Sequence, residues 1–384
     1  MDDNYDIING KKYKKCKEHQ IRNPITRRCI NKDKKTAKDL LLYDKKSPKY
    51  LLKYVKIREK RKKLSKSPIK ENEKRIYIYK KITEKLDKKI VIGDNLILKN
   101  KLNYGIDGNM YISYLNKYPK YNFISKIVLN TKKSNNEILY LNKLSDAVIN
   151  NKCPHFPILY GNYDIKLENE ELKILPKILI AEVNNSFKII LSENMDGNLR
   201  FFLNTMKYSD NIYINALTQV FLSLIFFYKE TKSFHNNSIW DNFTYKKINI
   251  GGYYHYEILG NNYYLENLGY LWMLSDFDKC VDFNKSLEKN MMINNDFERI
   301  IYSFLPTSYN GKINENKYKI SRNSLESILK VVRVVKYYTD KYSSVGLKIY
   351  ISKIMNIFEK NGFIKTYVNP SLVINNQPYK FNII

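Results

Sequence analysis

Two short stretches concentrate the side chains that can do chemistry. The first is His235-Asn236-Asn237-Ser238-Ile239-Trp240-Asp241-Asn242-Phe243, and the second is Leu274-Ser275-Asp276-Phe277-Asp278. A hard divalent cation takes oxygen ligands, so the Asn242 amide and the Asp276 carboxylate are a chemically sufficient pair to hold one. Asn237 can hydrogen-bond a hydroxyl group but cannot accept its proton at neutral pH. Asp241, four residues on, is the nearest carboxylate that could take over part of that role. His235 follows the apolar run Gln219 to Tyr228, and a lone histidine at a helix end is usually structural.

These residues need elements to position them. The run Gln219–Tyr228 is apolar almost all round and predicts a buried helix that delivers the His235 loop. Upstream, Phe123-Ile124-Ser125-Lys126-Ile127-Val128-Leu129 predicts a strand with one embedded lysine. Ser134-Asn135-Asn136-Glu137 then opens a helix carrying Ile138, Leu141, Leu144 and Val148 at helical spacing. Ser134 and Glu137 also read as a capping box, which by itself accounts for a glutamate there. Gly105-Ile106-Asp107-Gly108 reads either as a hairpin whose glycines let backbone N–H groups approach phosphate or as a plain β-turn. Strands are predicted at Ile178–Val183 and Lys188–Leu191, and helices over Asn295–Ile301, Ser324–Tyr338 and Gly346–Phe358. The last stretch, Tyr367–Ile384, reads as extended and turn-rich.

Composition bounds the rest. The 384 residues are 43% hydrophobic, ample for a core, and suit one two-lobed domain plus an extension. The formal net charge of +29 is uneven: residues 31–90 carry 23 Lys and Arg against 8 Asp and Glu. Such a segment reads as a solvated tether, or as a non-specific, salt-dependent contact with nucleic acid. Four cysteines are too few for a disulfide scaffold at this length, so a reduced intracellular setting is expected. The acidic, polar N-terminus argues against a secretory signal, and no apolar run is long enough to predict a membrane span. Cys16 and Cys29 bracket the turn signal Asn23-Pro24. That segment reads as a basic turn with two thiols, or as a zinc site using Cys16, His19 and Cys29 that lacks a fourth ligand nearby.

The His235 and Asp276 stretches resemble the active-site half of a protein kinase, whose pattern is H-R-D-x-x-x-x-N followed by D-F-G. The form closest to this one is that of kinase-like proteins of giant viruses, with Trp240, Asn242 and Phe243 matching. The N-terminal stretch Cys16 to Cys29 resembles the two-cysteine adaptor module of large DNA viruses, with Arg27 where that module usually has glycine. The resemblance implies an α+β fold, bilobal and protein kinase-like, with a small β-rich lobe (91–192) and a large helical lobe (200–384). An adaptor (1–36) and a basic linker (37–90) would precede it. It implies ATP and Mg²⁺ as cofactors. Gly105 and Gly108 would lie over the phosphates, Lys126 would be paired with Glu137, and the backbone of Glu193 to Met195 would bond the adenine. Asn242 and Asp276 would hold the metal, with Asn237 and Asp241 as the catalytic candidates. The function implied is a divergent serine/threonine protein kinase-like protein. The alternative is a pseudokinase or virion scaffold. Its partners would be a protein substrate or viral structural protein docked through Cys16–Cys29, in the host cytoplasm or the virion and away from membranes.

Overall fold

The computed structural model describes residues 71–104, 108–166, 186–283, 289–305, 320–337 and 344–381, with short stretches of the first 31. The chain divides into two compact units, Met1–Ser67 and Pro68–Ile384. In the first, β1 (Tyr5–Ile8) pairs antiparallel with β2 (Lys11–Lys14), and β3 (Gln20–Arg22) pairs with β4 (Cys29–Asn31). The Asn23-Pro24 turn lies outside the described residues. Cys16 is disulfide-bonded, against the expectation of reduced thiols, so its sulfur is not free to bind zinc. Cys153 and Cys280 are free and buried.

The second unit opens with α1 (Glu71–Thr83), which corrects the reading of residues 37–90 as one linker. Charge alone hid this helix. Its acidic residues Glu71 and Glu73 sit in the first turn and Lys80 and Lys81 in the last, as the helix dipole favours. Glu71, Arg75 and Ile82 fall on one buried face.

A five-stranded antiparallel sheet follows, in the order β5-β6-β7-β9-β8. It comprises β5 (Leu96–Tyr104), β6 (Gly108–Leu115), β7 (Tyr118–Leu129), β8 (Leu159–Lys166) and β9 (Ser186–Glu193). Between β7 and β8 lies α2 (Lys132–Ile149). Its N-cap is Thr131, with Ser134 at the third helical position closing the capping box, so the box drawn between Ser134 and Glu137 is displaced by one turn. Glu137 is thereby released from a capping role. The expected strand Ile178–Val183 lies outside the described residues.

The chain continues through β10 (Gly197–Asn198), α3 (Leu199–Thr205) and α4 (Asp210–Thr231). With Thr218, Gln219 and Ser223 interrupting it, α4 presents no unbroken apolar run, yet its length and composition would suffice to cross a membrane. Within the protein, 83% of that apolar window is buried, so α4 is a core helix here. After it come β11 (Ser233–Phe234), β12 (Phe243–Lys247), β13 (Tyr253–Ile258), β14 (Asn261–Glu266), β15 (Tyr270–Leu274) and β16 (Val281–Asp282). β12 pairs with β15 and β11 with β16, which closes the two chemical loops against each other.

The helices α5 (Lys289–Phe304), α6 (Arg322–Tyr337) and α7 (Ser344–Lys360) follow, and β17 (Tyr379–Phe381) runs parallel to β13. The β13–β14 hairpin was not foreseen. Its Tyr254 and Tyr256 pack against Tyr379, and Tyr256 packs against Phe381, joining the C-terminal strand to the core. The fold is thus mixed α and β: a sheet region with α1 and α2 against it, then a region of helices and short strands.

Candidate functional site

Alternation along β7 decides where Lys126 points. Phe123, Ser125 and Ile127 are buried on one face, and Lys126 takes the other. There its Nζ lies 2.7 Å from Glu137 Oε1 on α2 and 3.1 Å from Asp276 Oδ1. Burial alone would lower the pKa of this ammonium, but the two carboxylates outweigh it and hold the pKa above its ordinary value. Burial likewise opposes the charge of Asp276, and Lys126 more than offsets it, holding that carboxyl below its usual range. For Glu137 burial prevails and raises the pKa, with Lys126 pulling the other way.

Asp276 has φ 65°, in the left-handed region that costs most residues energy and that aspartate tolerates better than most. Its neighbours hold it there. Ser275 N–H and Oγ–H both donate to the Asn242 carbonyl at 2.9 and 3.0 Å. His235 Nε2 lies 3.2 Å from the Ser275 carbonyl, while its Nδ1 accepts from the Asn237 N–H at 3.3 Å. A carbonyl can only accept, so the proton sits on Nε2; burial lowers this pKa, leaving the ring neutral. The ring stands edge-on to Phe227 and Phe277, each 5.5 Å away. His235 is a packing and bridging residue, placed as a structural histidine would be.

The loop after β11 is fixed from below by Asp296 of α5. This fully buried carboxylate accepts from His235 N (2.8 Å), Asn236 N (2.8 Å), Ser238 Oγ (2.9 Å) and Tyr228 OH (3.0 Å). Asn236, with φ 57°, makes the sharp turn, and its carbonyl accepts from Arg299. Asn237 then donates from Nδ2 to Asp276 Oδ2 at 3.2 Å. Asn242 donates from Nδ2 to the Asn237 carbonyl at 2.8 Å, so its amide oxygen is the atom it can offer a cation. Four separate segments therefore bring Lys126, Glu137, Asp276, Asn237 and Asn242 together.

The remaining candidates fall elsewhere. Asp241 is bound by Arg200 at 2.5 Å and Asn198 at 3.3 Å, with Arg200 also over the Trp240 ring. Among the described residues, its hydrogen bonds go to Arg200 and Asn198 and none reaches Asn237 or Asp276. Gly105 lies outside the described residues. Gly108 opens β6, and a Cβ there would lie 2.3 Å from the Ile127 carbonyl oxygen, so close strand approach already explains that glycine. The Glu193 side chain turns away from Lys126 to Arg75 (2.7 Å) and Lys246 (3.0 Å). Backbone bonds flank the segment at Glu193 N to Ile158 O and Asp196 N to Tyr245 O, and neither uses the Met195 N–H.

Sequence reasoning missed Arg75, Lys246 and Lys133. Lys133 pairs with Asp278 at 2.8 Å, and Asn136 of α2 donates to the Cys280 carbonyl. Asp278 thus ties the loop to α2. An acidic residue beside Asp276, with a lysine in the first turn of the preceding helix, was the available signal.

The donor set suits Mg²⁺: one carboxylate and one amide oxygen, with further oxygens to come from a bound phosphate and water. Among the described residues, no group of three or more His, Cys, Asp or Glu could hold a metal without such help. No family model and no curated protein matches the sequence. Among solved structures, a chain of the CAK complex of Chaetomium thermophilum bound to ATP-gamma-S is similar to it at 14% identity and TM-score 0.31. The match covers half of each chain, a likeness too distant to argue from.

Proposed function

We propose that residues 68–384 form a bilobal, protein kinase-like domain that binds Mg-ATP between the sheet region and the helical region, and that it transfers phosphate slowly to protein hydroxyls. The observation that supports this best is Lys126 held between Glu137 and Asp276, with Asn237 and Asn242 alongside. In this reading Lys126 contacts the α- and β-phosphates, with Glu137 keeping it charged and aimed. Asp276 and Asn242 would hold the metal, which when bound would supply positive charge beside the phosphates. The Glu193–Met195 backbone bonds the base. Phosphoryl transfer depends mostly on positioning and electrostatics, which these residues supply. Asn237 can orient the attacking hydroxyl but cannot take its proton, which passes to solvent or to a phosphate oxygen. A general base contributes about 10² to 10⁴ in rate, and that is the expected deficit.

A second reading, a pseudokinase or scaffold that binds nucleotide without turnover, is favoured by the Asn237–Asp276 hydrogen bond, which occupies the amide. In either case residues 1–36 dock a protein substrate or viral structural protein in the host cytoplasm or virion.

The test is Mg-ATP thermal shift with phosphotransfer for wild type, Asp276→Ala and Asn237→Asp. Stabilisation of the wild type that Asp276→Ala abolishes, with measurable transfer, supports the first reading. Transfer only in Asn237→Asp supports the second, and no binding by the wild type removes both.

A further inference from the structure

One buried ion pair takes no part in the chemistry above. The Arg75 side chain on α1 has no exposed surface, and that of Glu193, the last residue of β9, has 2%. The contact is a fork: Arg75 Nε to Glu193 Oε1 at 2.9 Å and Nη2 to Oε2 at 2.7 Å. Arg75 also donates to the carbonyls of Pro154 (2.7 Å) and Phe156 (2.6 Å), in the segment that leads into β8. From the other side Lys246 Nζ reaches Glu193 Oε1 at 3.0 Å and the Asn194 carbonyl at 3.1 Å. A fork fixes direction as well as distance, which a lysine in place of Arg75 would not do.

Glu193 to Met195 is where the sheet hands the chain to the helical region. Between the backbone bonds at Glu193 and Asp196, the Asn194 carbonyl is held by Lys246, which is itself held by the Glu193 carboxylate that Arg75 fixes. We propose that Arg75 is a positioning residue of the nucleotide site: by holding Glu193 it sets the backbone that meets the base, so α1 governs base recognition. The proposal rests on the nucleotide reading above. The phosphate end is separate, because the partners of Arg75 are Asn72, Pro154, Phe156, Glu193 and Met273, none of which is Lys126, Glu137 or Asp276. Losing the pair should therefore weaken binding of the base and spare binding of the phosphates.

The experiment measures dissociation constants of the full chain for Mg-ATP and for Mg-tripolyphosphate. It compares wild type, the apolar double variant Arg75→Met/Glu193→Leu, and Arg75→Lys. The double variant removes both charges of the fork and leaves Lys246, which is 21% exposed, its bond to the Asn194 carbonyl and solvent. The expected result is ATP weakened tenfold or more, tripolyphosphate within twofold of wild type, and Arg75→Lys intermediate. The proposal is overturned if the double variant, folded and melting near wild type, binds ATP as wild type does. It is equally overturned if ATP and tripolyphosphate weaken by the same factor, since the pair would then act on the whole fold. Should the double variant fail to fold, Arg75→Lys decides by the same ratio. A wild type that binds neither ligand shows, before any substitution, that the nucleotide reading itself has failed.

Discussion

Replacing Asn237 by aspartate sets a carboxylate against another carboxylate. Asn237 Nδ2 donates to Asp276 Oδ2 at 3.2 Å, so the variant exchanges a hydrogen bond for a like-charge contact at about that distance. Two unit charges so placed repel by about 1 kcal/mol at the dielectric of water and about 5 kcal/mol at an effective value of 20. Asp276 is 31% exposed and keeps Lys126 on its other oxygen, so the lower half of that range applies. Without metal, Asn237→Asp should therefore melt below wild type by an amount equivalent to about 1–3 kcal/mol. The repulsion raises the folded-state pKa of one carboxyl above its unfolded value of about 3.9. The penalty is then complete above that raised pKa and closes as pH falls through it toward the unfolded value. Mg²⁺ with ATP should close it at neutral pH too, while phosphotransfer rises by about 10² to 10⁴ as a base is restored. Differential scanning fluorimetry from pH 4 to 8 (by about half-unit steps), with EDTA or with Mg-ATP, reads both effects. A variant that melts like wild type in EDTA at every pH would refute the Asn237–Asp276 contact. One whose penalty survives Mg-ATP would refute the metal site.

Three further outcomes are expected. Lys126→Met leaves Glu137 and Asp276 facing one another without their shared cation, so ATP affinity should fall more than tenfold in titration calorimetry; the loss of a mostly buried pair costs about 3–5 kcal/mol, read from denaturant midpoints. Gly108→Ala drives a Cβ into the Ile127 carbonyl, so melting should fall by the equivalent of about 1–3 kcal/mol with no ligand present, and an unchanged melting temperature would return that glycine to a phosphate role. Glu193 is buried, which alone would raise its pKa, but Arg75 and Lys246 outweigh that and bring it to about 2. Its stabilisation is complete above the unfolded value and lost as pH falls toward about 2, so acid unfolding of wild type should steepen in that window by about 3 kcal/mol, and Glu193→Gln should lack the steepening.

Which of these residues could be seen in the sequence follows from how local their signals are. Lys126 stood out because a charge inside a β-branched run has to face outward, and the alternation along β7 fixes that direction. The helix α4 was visible from the nearly all-apolar stretch Gln219–Tyr228, and the loop after it from the density of Asn and Asp side chains. Glu137 was ambiguous in the sequence, since a capping role explained it equally well. The actual cap at Thr131 resolves that ambiguity, because it satisfies the helix terminus and leaves the glutamate free to pair with Lys126.

The failures share one cause. Asp241 looked available because it sits four residues from Asn237, but its partners Arg200 of α3 and Asn198 of β10 lie 41 and 43 residues away. Arg75 was lost among lysines in a stretch whose charge marks it as solvated, yet its carboxylate partner lies 118 residues along the chain. Composition reports what a segment would do alone in water. A guanidinium can be taken out of water when a second element supplies a fork of oxygens to meet it, and no window on the sequence contains both halves of that arrangement. The same reasoning explains why the β13–β14 hairpin went unseen: its buried tyrosines find their cover in Tyr379 and Phe381, at the far end of the chain. In this protein each candidate residue carries a local signal, while its pairing, Lys126 with Asp276 150 residues on or Arg75 with Glu193 118 residues on, is set at long range.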